Sequence, residues 1–449
     1  MENFTSVITK KGMMMFFAAT FLFSACKKST PVDPVKPIDT NVVTGKTAET
    51  YTGEVATKWA DTELKLIKTT PNFTPPIVAR ALGYSNMALY EAIVPGMTGY
   101  QSLVNQIQGL TSLPKPPSGE YNWALSANAA KASILKNLYT NTTDANKTTV
   151  DSLKMALENT FKGSSATDVI TRSNKFGEDV AAAIFNYSKV DGGHEAYKNN
   201  FPADYLLPVS ASGWVPTSAQ KIPLLPYWGN NRFMVAKNKN EVPPAPKAFS
   251  YSEGSPFFIE ANAVYTTSKT LTVDQKAIAL FWADGGGTIT PPGHLTNLMS
   301  IVLKKENASL AKAAEGYAKI GMALNDAFVS CWKCKYVYNL MRPITYIQTA
   351  IDPTWKTLIG TPPFPEYTSG HSSGSGAAAA VLTDLFGATY DLIDNTYLPA
   401  RTYTSFVQAA DEAKMSRLYG GIHFPMGNEE GQKNGKKIGA NIIALKFKK

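Results

Sequence analysis

Apolar residues recur at the spacing of an α-helix along most of this chain, whereas no stretch sustains the alternation typical of a β-strand. In residues 57–68, for example, Trp59, Leu64 and Ile67 fall on one side of a helix. The same spacing recurs at 76–94, 125–139, 143–161, 166–187, 272–284, 293–305, 308–341, 371–386, 403–419 and 428–447. The sequence therefore predicts an all-α protein, built as one helical bundle or as a pair of bundles.

A long segment without periodicity separates the two helical halves. Residues 191–255 are rich in proline, glycine, tyrosine and tryptophan, and a loop of that length is usually functional or a connection. The three cysteines are too few for a disulfide framework. We divide the chain into a signal segment at 1–25, a tether at 26–50, an N-terminal helical region at 51–190, a loop-rich connection at 191–270 and a C-terminal helical region at 271–449.

The N-terminus has the pattern of an export signal. Lys10 and Lys11 precede an uncharged run at 12–25, which is shorter than the roughly 20 residues that span a bilayer core. Residues 22–26 resemble a bacterial lipobox, in which cleavage leaves Cys26 to carry a lipid; a plain signal peptide with an incidental cysteine is the alternative. The residues after Cys26 have the polar, proline-rich composition of a tether. We therefore expect a lipid-anchored globular domain in the bacterial cell envelope, facing the periplasm or the outer surface.

The formal net charge of +9 comes from the two ends of the chain. It falls almost to zero when the signal segment, the two lysines after Cys26 and the C-terminal lysines are left out. The C-terminal group consists of Lys433, Lys436, Lys437, Lys446, Lys448 and Lys449. A neutral body offers no broad positive field to a phosphate backbone, so we expect no nucleic-acid partner.

Three short elements in the last quarter of the chain hold the candidate functional residues. In the first, Lys335 and Arg342 are seven residues apart, a separation that returns to nearly the same face of a helix. Pro343 favours the end of that helix, so two cations would project together there. Taken alone, the element is better explained as a solvated charged face with a proline stop.

The second element runs from the prolines at 362–365 to His371. Ser369 can cap a helix, and Gly370 lets the backbone approach a ligand closely while the helix starts behind it. Free N–H groups at a helix N-terminus bind oxyanions. The alternative is a helix of small residues packed tightly against a neighbour, which does not account for His371.

The third element contains Arg417 and His423, which are six residues apart and would point to different sides of a continuous helix. The glycine pair Gly420 and Gly421 can break the helix and turn His423 back. Taken alone, a helix-ending glycine pair beside an ordinary histidine is the simpler interpretation.

Together and in this order, the three elements resemble the signature Lys-x6-Arg-Pro, Pro-Ser-Gly-His and Ser-Arg-x5-His-x3-Asp. This is the pattern of the superfamily of type 2 phosphatidic acid phosphatases and vanadium-dependent haloperoxidases, whose fold is a helical bundle. Residues 281–285 and 291–294 are also similar to the haloperoxidase-like branch. The resemblance implies a pocket for vanadate in a haloperoxidase, or for a phosphate group in a phosphatase.

The resemblance also implies a role for each motif residue. The groups that would hold the equatorial oxygens of the oxyanion are Lys335, Arg342, Ser369, the Gly370 N–H and Arg417. His423 would bond the central vanadium or phosphorus atom, and His371 would act as general acid or base opposite it. Fixed cations and planar guanidinium groups suit such an anion, and the ordinary histidine pKa of about 6.5 suits both histidine roles.

The sequence departs from the signature at two positions. Thr368 replaces the motif proline, a change that affects loop stiffness. Gly427 stands where the signature has its closing aspartate, which accepts a hydrogen bond from the histidine and sets its tautomer. The neighbours that could substitute for it are Asn428, Glu429 and Glu430. We expect an aspartate restored at position 427 to raise the activity.

Trp332 and Phe364 resemble the aromatic residues that line the halide site in fungal members of the haloperoxidase branch, although core packing also explains them. They favour an enzyme that binds vanadate and oxidises halide with hydrogen peroxide. One alternative is an acid phosphatase acting on phosphomonoesters or lipid phosphates through a phosphohistidine at His423. Another is a weakened lipoprotein that only binds an oxyanion, which Gly427 supports. His294 could line the same pocket or cap a helix.

The remaining candidates have simpler interpretations. Cys331 and Cys334 have the spacing of a redox motif but lie inside a predicted helix, so structural thiols are favoured. His194 follows two glycines and is expected in an exposed loop. No group of histidine, cysteine and carboxylate residues has the spacing of a metal-cation site.

Overall fold

Helices dominate residues 42–449, the part of the chain that this computed structural model describes. The α-helices of that part are α1 (Glu54–Thr69), α2 (Pro75–Glu91), α3 (Trp123–Leu138), α4 (Asp144–Phe161), α5 (Thr167–Ser188), α6 (Pro256–Lys269), α7 (Val273–Phe281), α8 (Thr290–Lys305), α9 (Leu310–Tyr338), α10 (Pro343–Ala350), α11 (Gly370–Phe386), α12 (Phe406–Tyr419) and α13 (Pro425–Ile443). The strands β1 (Val43–Thr44) and β2 (Gly119–Glu120) pair in parallel, and β3 (Leu392–Asp394) and β4 (Arg401–Tyr403) pair antiparallel. The prediction of an all-α fold is confirmed.

The five helices of the N-terminal region form where the apolar spacing predicts them, within a few residues at each end. Two of their starts have side-chain caps. Asn122 accepts a hydrogen bond from the Leu125 N–H before α3, and Thr143 accepts from the Asn146 N–H before α4. Local sequence therefore determines where these elements begin.

Two helices lie where the sequence predicts none. α6 falls inside the predicted loop-rich connection at 191–270, and its start is capped by Ser255, which accepts from the Phe258 N–H. The buried face of α6 consists of Phe257, Ala261 and Val264. α10 begins directly after Arg342. The apolar residues of α6 are spread around the helix, since Ile259 is exposed, and α10 has only eight residues. Both therefore give only a weak periodic signal.

The predicted tether does not extend to residue 50. Residues 43–44 form β1, and the Tyr121 N–H donates to the Thr44 carbonyl at 3.0 Å. Ala48 is fully buried. The segment 42–50 therefore belongs to the folded body, because strand pairing and burial hold it there.

The predicted signal segment at 1–25 and the predicted lipid site at Cys26 lie outside the described residues. Within residues 42–449, no helix has both the length and the apolar composition needed to cross a membrane. The lipid-anchor expectation therefore stays a prediction.

The two helical halves share one hydrophobic core. α2 from the first half and α9 from the second pack closely because Gly83 and Gly321 lie at their contact. A Cβ on Gly321 would lie 2.7 Å from the Leu82 carbonyl oxygen. Both helices are buried along almost their whole length, so α9 runs through the centre of the core.

The candidate site forms where four helix ends of the C-terminal region meet. These are the last turns of α9 and α12 and the first turns of α11 and α13. α11 and α13 approach closely, since a Cβ on Gly431 would lie 2.9 Å from the Ser369 carbonyl oxygen. The small residues of this helix pair therefore bring the second and third sequence elements together.

Candidate active site

A cavity of about 730 Å³ opens at the meeting point of these helix ends. The predicted site residues in its wall are Trp332, Phe364, Gly370, His371, Arg417 and His423. Lys335, Arg342 and Ser369 are fully buried and contact wall residues or their neighbours. The structure thus brings the residues of all three sequence elements to one place.

Arg342 is held from three sides. Its Nε donates to the Phe364 carbonyl at 2.8 Å, and its Nη1 donates to the Ile422 carbonyl at 2.8 Å and to His423 Nε2 at 3.1 Å. Its Nη2 is buried without a hydrogen-bond partner among the described residues. Because a buried donor without a partner is costly, Nη2 is available to donate to a molecule bound in the site.

Arg417, in the last turn of α12, supplies a second guanidinium group. Its Nε donates to the Ser416 hydroxyl at 2.9 Å, and its Nη2 donates to the Trp282 carbonyl. Burial lowers the pKa of Arg342 and of Arg417 to about 10, so both remain charged at pH 7. The ion pairs of the site join histidines to carboxylates, and no carboxylate of residues 42–449 lies within ion-pair distance of either arginine.

Lys335 holds the strap, the segment 364–368 that leads to α11. Its Nζ donates to the carbonyl oxygens of Pro365, Glu366 and Thr368 at 2.9, 3.0 and 2.6 Å. An ammonium group has three N–H donors, so all of them are used. Burial lowers the pKa of Lys335 to about 8, which leaves it largely charged at pH 7. Lys335 therefore contributes charge and shapes the strap, whereas the family resemblance implies a direct bond to the oxyanion.

The first turn of α11 presents hydrogen-bond donors to an anion. Ser369 is the N-cap, and its Oγ accepts from the Ser372 N–H at 3.3 Å and from the Ser372 hydroxyl at 3.0 Å. The single Ser372 hydroxyl proton can instead go to Asn428 Oδ1, 3.3 Å away, so the Ser369 hydroxyl can donate to Ser372 or to a bound anion. Gly370 is the first residue of the helix, where the backbone N–H has no partner within the helix and the helix dipole is positive.

His423 is neutral and has a defined tautomer. Its Nδ1 lies 2.7 Å from Glu366 Oε1, and its Nε2 accepts from Arg342 Nη1. Because the guanidinium donates to Nε2, the proton of the neutral ring lies on Nδ1 and is donated to Glu366 Oε1, a carboxyl group whose pKa burial raises to about 7. Burial and the charges of Arg342 and Lys335 lower the pKa of His423 well below its ordinary value. Nε2 therefore carries a lone pair at pH 7.

His371 is the second histidine of the cavity wall. Its Nε2 lies 3.4 Å from Asp284 Oδ2 and has no hydrogen-bond partner among residues 42–449. Burial and the Arg417 charge lower the pKa of His371 to about 4, so the ring is neutral at pH 7. A neutral imidazole at the cavity can accept a proton there.

Asp284 is held in turn by His294. His294 Nδ1 lies 3.1 Å from both carboxylate oxygens of Asp284, and its Nε2 lies 2.8 Å from Asp394 Oδ2. Burial lowers the pKa of His294, but the two aspartates outweigh burial and raise that pKa to about 10. The prediction that His294 lines the pocket or caps a helix is wrong. His294 lies inside α8, and its fully buried ring is enclosed by the carboxylates of Asp284 and Asp394.

Known proteins share this arrangement of helices and motifs. A family model described as the VCPO second helical-bundle domain matches residues 316–448. The solved structure of the first bacterial vanadium-dependent iodoperoxidase is 33% identical, with a TM-score of 0.79 over 88% of this chain and 96% of that chain. This chain belongs to the vanadium-dependent haloperoxidase family.

More distant haloperoxidases share the fold. An apo-type bacterial vanadium-dependent chloroperoxidase is 14% identical, with a TM-score of 0.65 over 82% of this chain and 92% of that chain. The vanadium chloroperoxidase of Curvularia inaequalis is 23% identical over 398 residues, which are 73% of this chain and 65% of that protein. The chain therefore spans somewhat less than two thirds of the length of the fungal relative.

In this chain the carboxylate partner of His423 is Glu366, which the sequence does not predict. The predicted substitutes do not contact the ring. Asn428 accepts from a serine hydroxyl of α11, whereas Glu429 and Glu430 pair with lysines of α12 and α13. Glu366 is the only acidic residue between positions 352 and 384. That isolated carboxylate beside the second sequence element is the signal that could have identified it.

Position 427 has no room for a side chain. A Cβ on Gly427 would lie 2.8 Å from Glu366 Oε2 and closer still to Oε1. An aspartate at position 427 would displace the carboxylate already present, which counts against the expectation that it raises the activity.

Trp332 and Phe364 line the cavity and also pack on each other, with 5.1 Å between their ring centroids. The Phe364 ring centroid lies 5.0 Å from Lys335 Nζ and 4.9 Å from the central guanidinium carbon of Arg342. Such cation–π contacts stabilise a desolvated charge. Cavity wall and core packing are therefore both correct descriptions of these two residues.

The other candidates lie outside the cavity wall. Cys331 and Cys334 are free thiols buried in α9, and burial raises the pKa of Cys334 to about 12, as expected for an unreactive structural thiol. His194 is partly buried, with its ring 5.8 Å from that of Phe185. Among the described residues, no group of three histidine, cysteine or carboxylate side chains could hold a metal cation.

Proposed function

We propose that this haloperoxidase binds vanadate and oxidises halide with hydrogen peroxide. The observation that carries the proposal is the buried group of Lys335, Arg342 and Arg417 beside the neutral His423. Three buried positive charges without a carboxylate ion pair among the described residues require compensation. A multiply charged oxyanion supplies it, and the likeness to an iodoperoxidase supports vanadate as that oxyanion.

The chemistry of the donors fits vanadate. When bound, vanadate would supply a Lewis-acidic centre that activates peroxide. The groups that would hold it are Arg342 Nη2, the Arg417 guanidinium, the Ser369 hydroxyl, the Gly370 N–H and His423 Nε2. Arg342 and Arg417 are already fixed by bonds to backbone carbonyls, so their charges need little reorganisation when the anion arrives. The hydrogen bond from Arg342 Nη1 to His423 Nε2 would be given up, because the bond to vanadium uses the same lone pair.

We assign proton transfer to His371. Its neutral ring accepts a proton from the incoming peroxide and returns it to the oxygen that leaves as water. Asp284 Oδ2, 3.4 Å away, stabilises the imidazolium while the proton is held. Arg417 opposes that charge, which favours return of the proton.

We also propose that the cavity binds a neutral aromatic acceptor, which is halogenated in place. Its volume of about 730 Å³ is typical of pockets for drug-sized molecules and far exceeds the space that a halide needs. Apolar residues from both helical halves line it: Phe73, Phe201, Leu224, Pro291, Ile359 and Pro363. In the balanced reaction, an aromatic C–H, a halide, hydrogen peroxide and a proton give a carbon–halogen bond and two waters.

The decisive experiment compares reactions with and without orthovanadate. We expect peroxide-dependent oxidation of iodide and bromide only in the vanadate-loaded protein, at a higher rate than the vanadate-free protein hydrolyses p-nitrophenyl phosphate. Phosphomonoester hydrolysis without halide oxidation would establish the phosphatase alternative instead. Vanadate binding with neither reaction would leave anion binding as the activity.

The acceptor proposal is tested by product ratios. We expect the enzyme to halogenate a phenol with an isomer ratio different from that of reagent hypohalite, and Phe201→Ala to shift the ratio toward the reagent value. The same ratio for enzyme and reagent would show that halogenation occurs in solution.

We further propose that the protein is lipid-anchored at Cys26 in the bacterial cell envelope. The support is the sequence pattern of two lysines, a short apolar run and a lipobox-like cysteine. Cys26→Ala should abolish lipid labelling and release the protein into soluble fractions. Unchanged membrane attachment of this variant would contradict the proposal.

A further inference from the structure

We propose that Glu366 is the positioning residue of His423 and that Glu366 and Gly427 form a matched pair, in which the carboxylate comes from the strap instead of from α13. The inference rests on the proposed function, because it concerns how His423 is prepared to bond the oxyanion. It also explains why the closing aspartate of the family signature is absent.

The Glu366 carboxylate is fixed in place. Its Oε1 lies 2.7 Å from His423 Nδ1 and also accepts from the Phe424 N–H at 3.1 Å. Its backbone is held at both ends, since its N–H donates to the Leu340 carbonyl at 2.9 Å and its carbonyl accepts from Lys335 Nζ at 3.0 Å. A carboxylate fixed in this way orients the ring and sets the tautomer.

Space beside His423 Nδ1 admits one carboxylate side chain. Gly427 lies in the first turn of α13, and a Cβ there would meet both oxygens of Glu366 at or below 2.8 Å. Contacts that short require the Glu366 carboxylate to shift, and its bonds to His423 Nδ1 and to the Phe424 N–H oppose that shift. A side chain at position 427 would therefore displace the Glu366 carboxylate from its position beside His423.

The matched pair predicts that two harmful changes compensate each other. Glu366→Ala and Gly427→Asp should each weaken orthovanadate binding about 10- to 100-fold, the range for supporting residues of a metal ligand. The double variant Glu366→Ala with Gly427→Asp should bind orthovanadate at least about tenfold more tightly than either single variant. Glu366→Gln, which keeps the shape but not the charge, should retain the fold and still bind vanadate more weakly.

The control is Glu260, another buried carboxylate of the same region. Its Oε2 accepts from the Met426 N–H at 2.8 Å, but it does not contact His423. Glu260→Gln should leave the vanadate dissociation constant within about twofold of the wild type. The measurements are calorimetric titration with orthovanadate, urea unfolding of each variant, and the NMR resonance of the His423 Nδ1–H.

The outcomes separate the inference from the proposed function. The matched pair is supported if the double variant recovers vanadate affinity, and if the His423 Nδ1–H resonance is lost in Glu366→Ala and regained in the double variant. No rescue, or wild-type binding by Glu366→Gln, overturns it. If the wild type binds no vanadate, the proposed function fails, and the resonance alone then decides whether Glu366 positions His423.

Discussion

Each histidine in the cavity wall faces a buried carboxylate, but the two pairs are built differently. His423 is bonded to Glu366 at 2.7 Å, and the same oxygen is tied to a backbone N–H. His371 lies 3.4 Å from Asp284, whose oxygens are also engaged by His294 and by the Tyr397 hydroxyl, the latter at 3.0 Å. The Glu366 carboxylate is bonded directly to its cavity histidine, whereas the charge of Asp284 is shared between His371 and His294.

This difference matches the two proposed tasks. A ligand atom must keep one tautomer and one direction, and the short bond to Glu366 ensures this for His423 Nε2. A proton carrier must change its protonation state easily, which a looser contact allows for His371. The comparison teaches that the two roles differ in the carboxylate–histidine distance and in whether the carboxylate is shared.

The largest effect is expected when His423, the histidine bonded to Glu366, is removed. His423→Ala deletes the nitrogen proposed to bond vanadate, so halide oxidation should fall by about 10³-fold or more. Orthovanadate titration should show a large loss of affinity in parallel. Retention of wild-type vanadate affinity would show that the ring does not provide the bond.

Removal of the looser histidine should separate binding from turnover. His371→Ala should lower the halide oxidation rate by about 10²- to 10⁴-fold, the usual contribution of a general acid–base group. Vanadate should still bind, because the cations and His423 remain. If affinity and turnover fall together, His371 is a ligand-holding residue and the contrast between the histidines disappears.

The support of Asp284 can be tested through stability. His294→Ala leaves two buried aspartates without their shared cation, and breaking a buried ion pair in this way costs about 3–5 kcal/mol. Urea unfolding would measure this loss. His194→Ala, at a partly exposed ring, is the control and should change the unfolding free energy by less than about 0.5 kcal/mol. Equal effects of the two changes would contradict a charged His294.

The smallest expected effect is a pH dependence of the difference in unfolding free energy between the wild type and His294→Ala. The folded-state pKa of His294 is raised to about 10, so its stabilising contribution is complete below about pH 6.5, the ordinary histidine value. The contribution is lost as the pH rises toward 10. The stability gap between the wild type and His294→Ala should therefore narrow over that range by at least about 1 kcal/mol. Parallel stability curves would show that His294 does not bind its proton more tightly when folded.

Spacing and caps in the sequence predict most of the fold. The N-terminal helices form close to their predicted bounds, because each is long enough to show a periodic apolar face. α6 and α10 are short, and their apolar faces are buried by residues distant in sequence. Segment 42–50 reads as polar linker, but its strand forms only because β2 lies beside it.

The motif residues of the site are predictable because their spacing is local. The carboxylate partners of the histidines are harder to predict, because they are distant in sequence. Glu366 and His423 are 57 residues apart, and His294 and Asp394 are 100 apart. Such pairs depend on how α8, α11 and α13 pack. A missing aspartate in the third element therefore says little about whether another part of the chain supplies its carboxylate.

The strap at 364–368 couples two properties of the site, the positions of its cations and the tautomer of His423. Its carbonyl oxygens hold Arg342 and Lys335, and its Glu366 side chain holds His423. A displacement of this five-residue segment would change the cation positions and the histidine tautomer in the same movement. Anion affinity and ligand strength are therefore coupled through the strap in this protein, and an insertion there should be among the least tolerated changes in the chain.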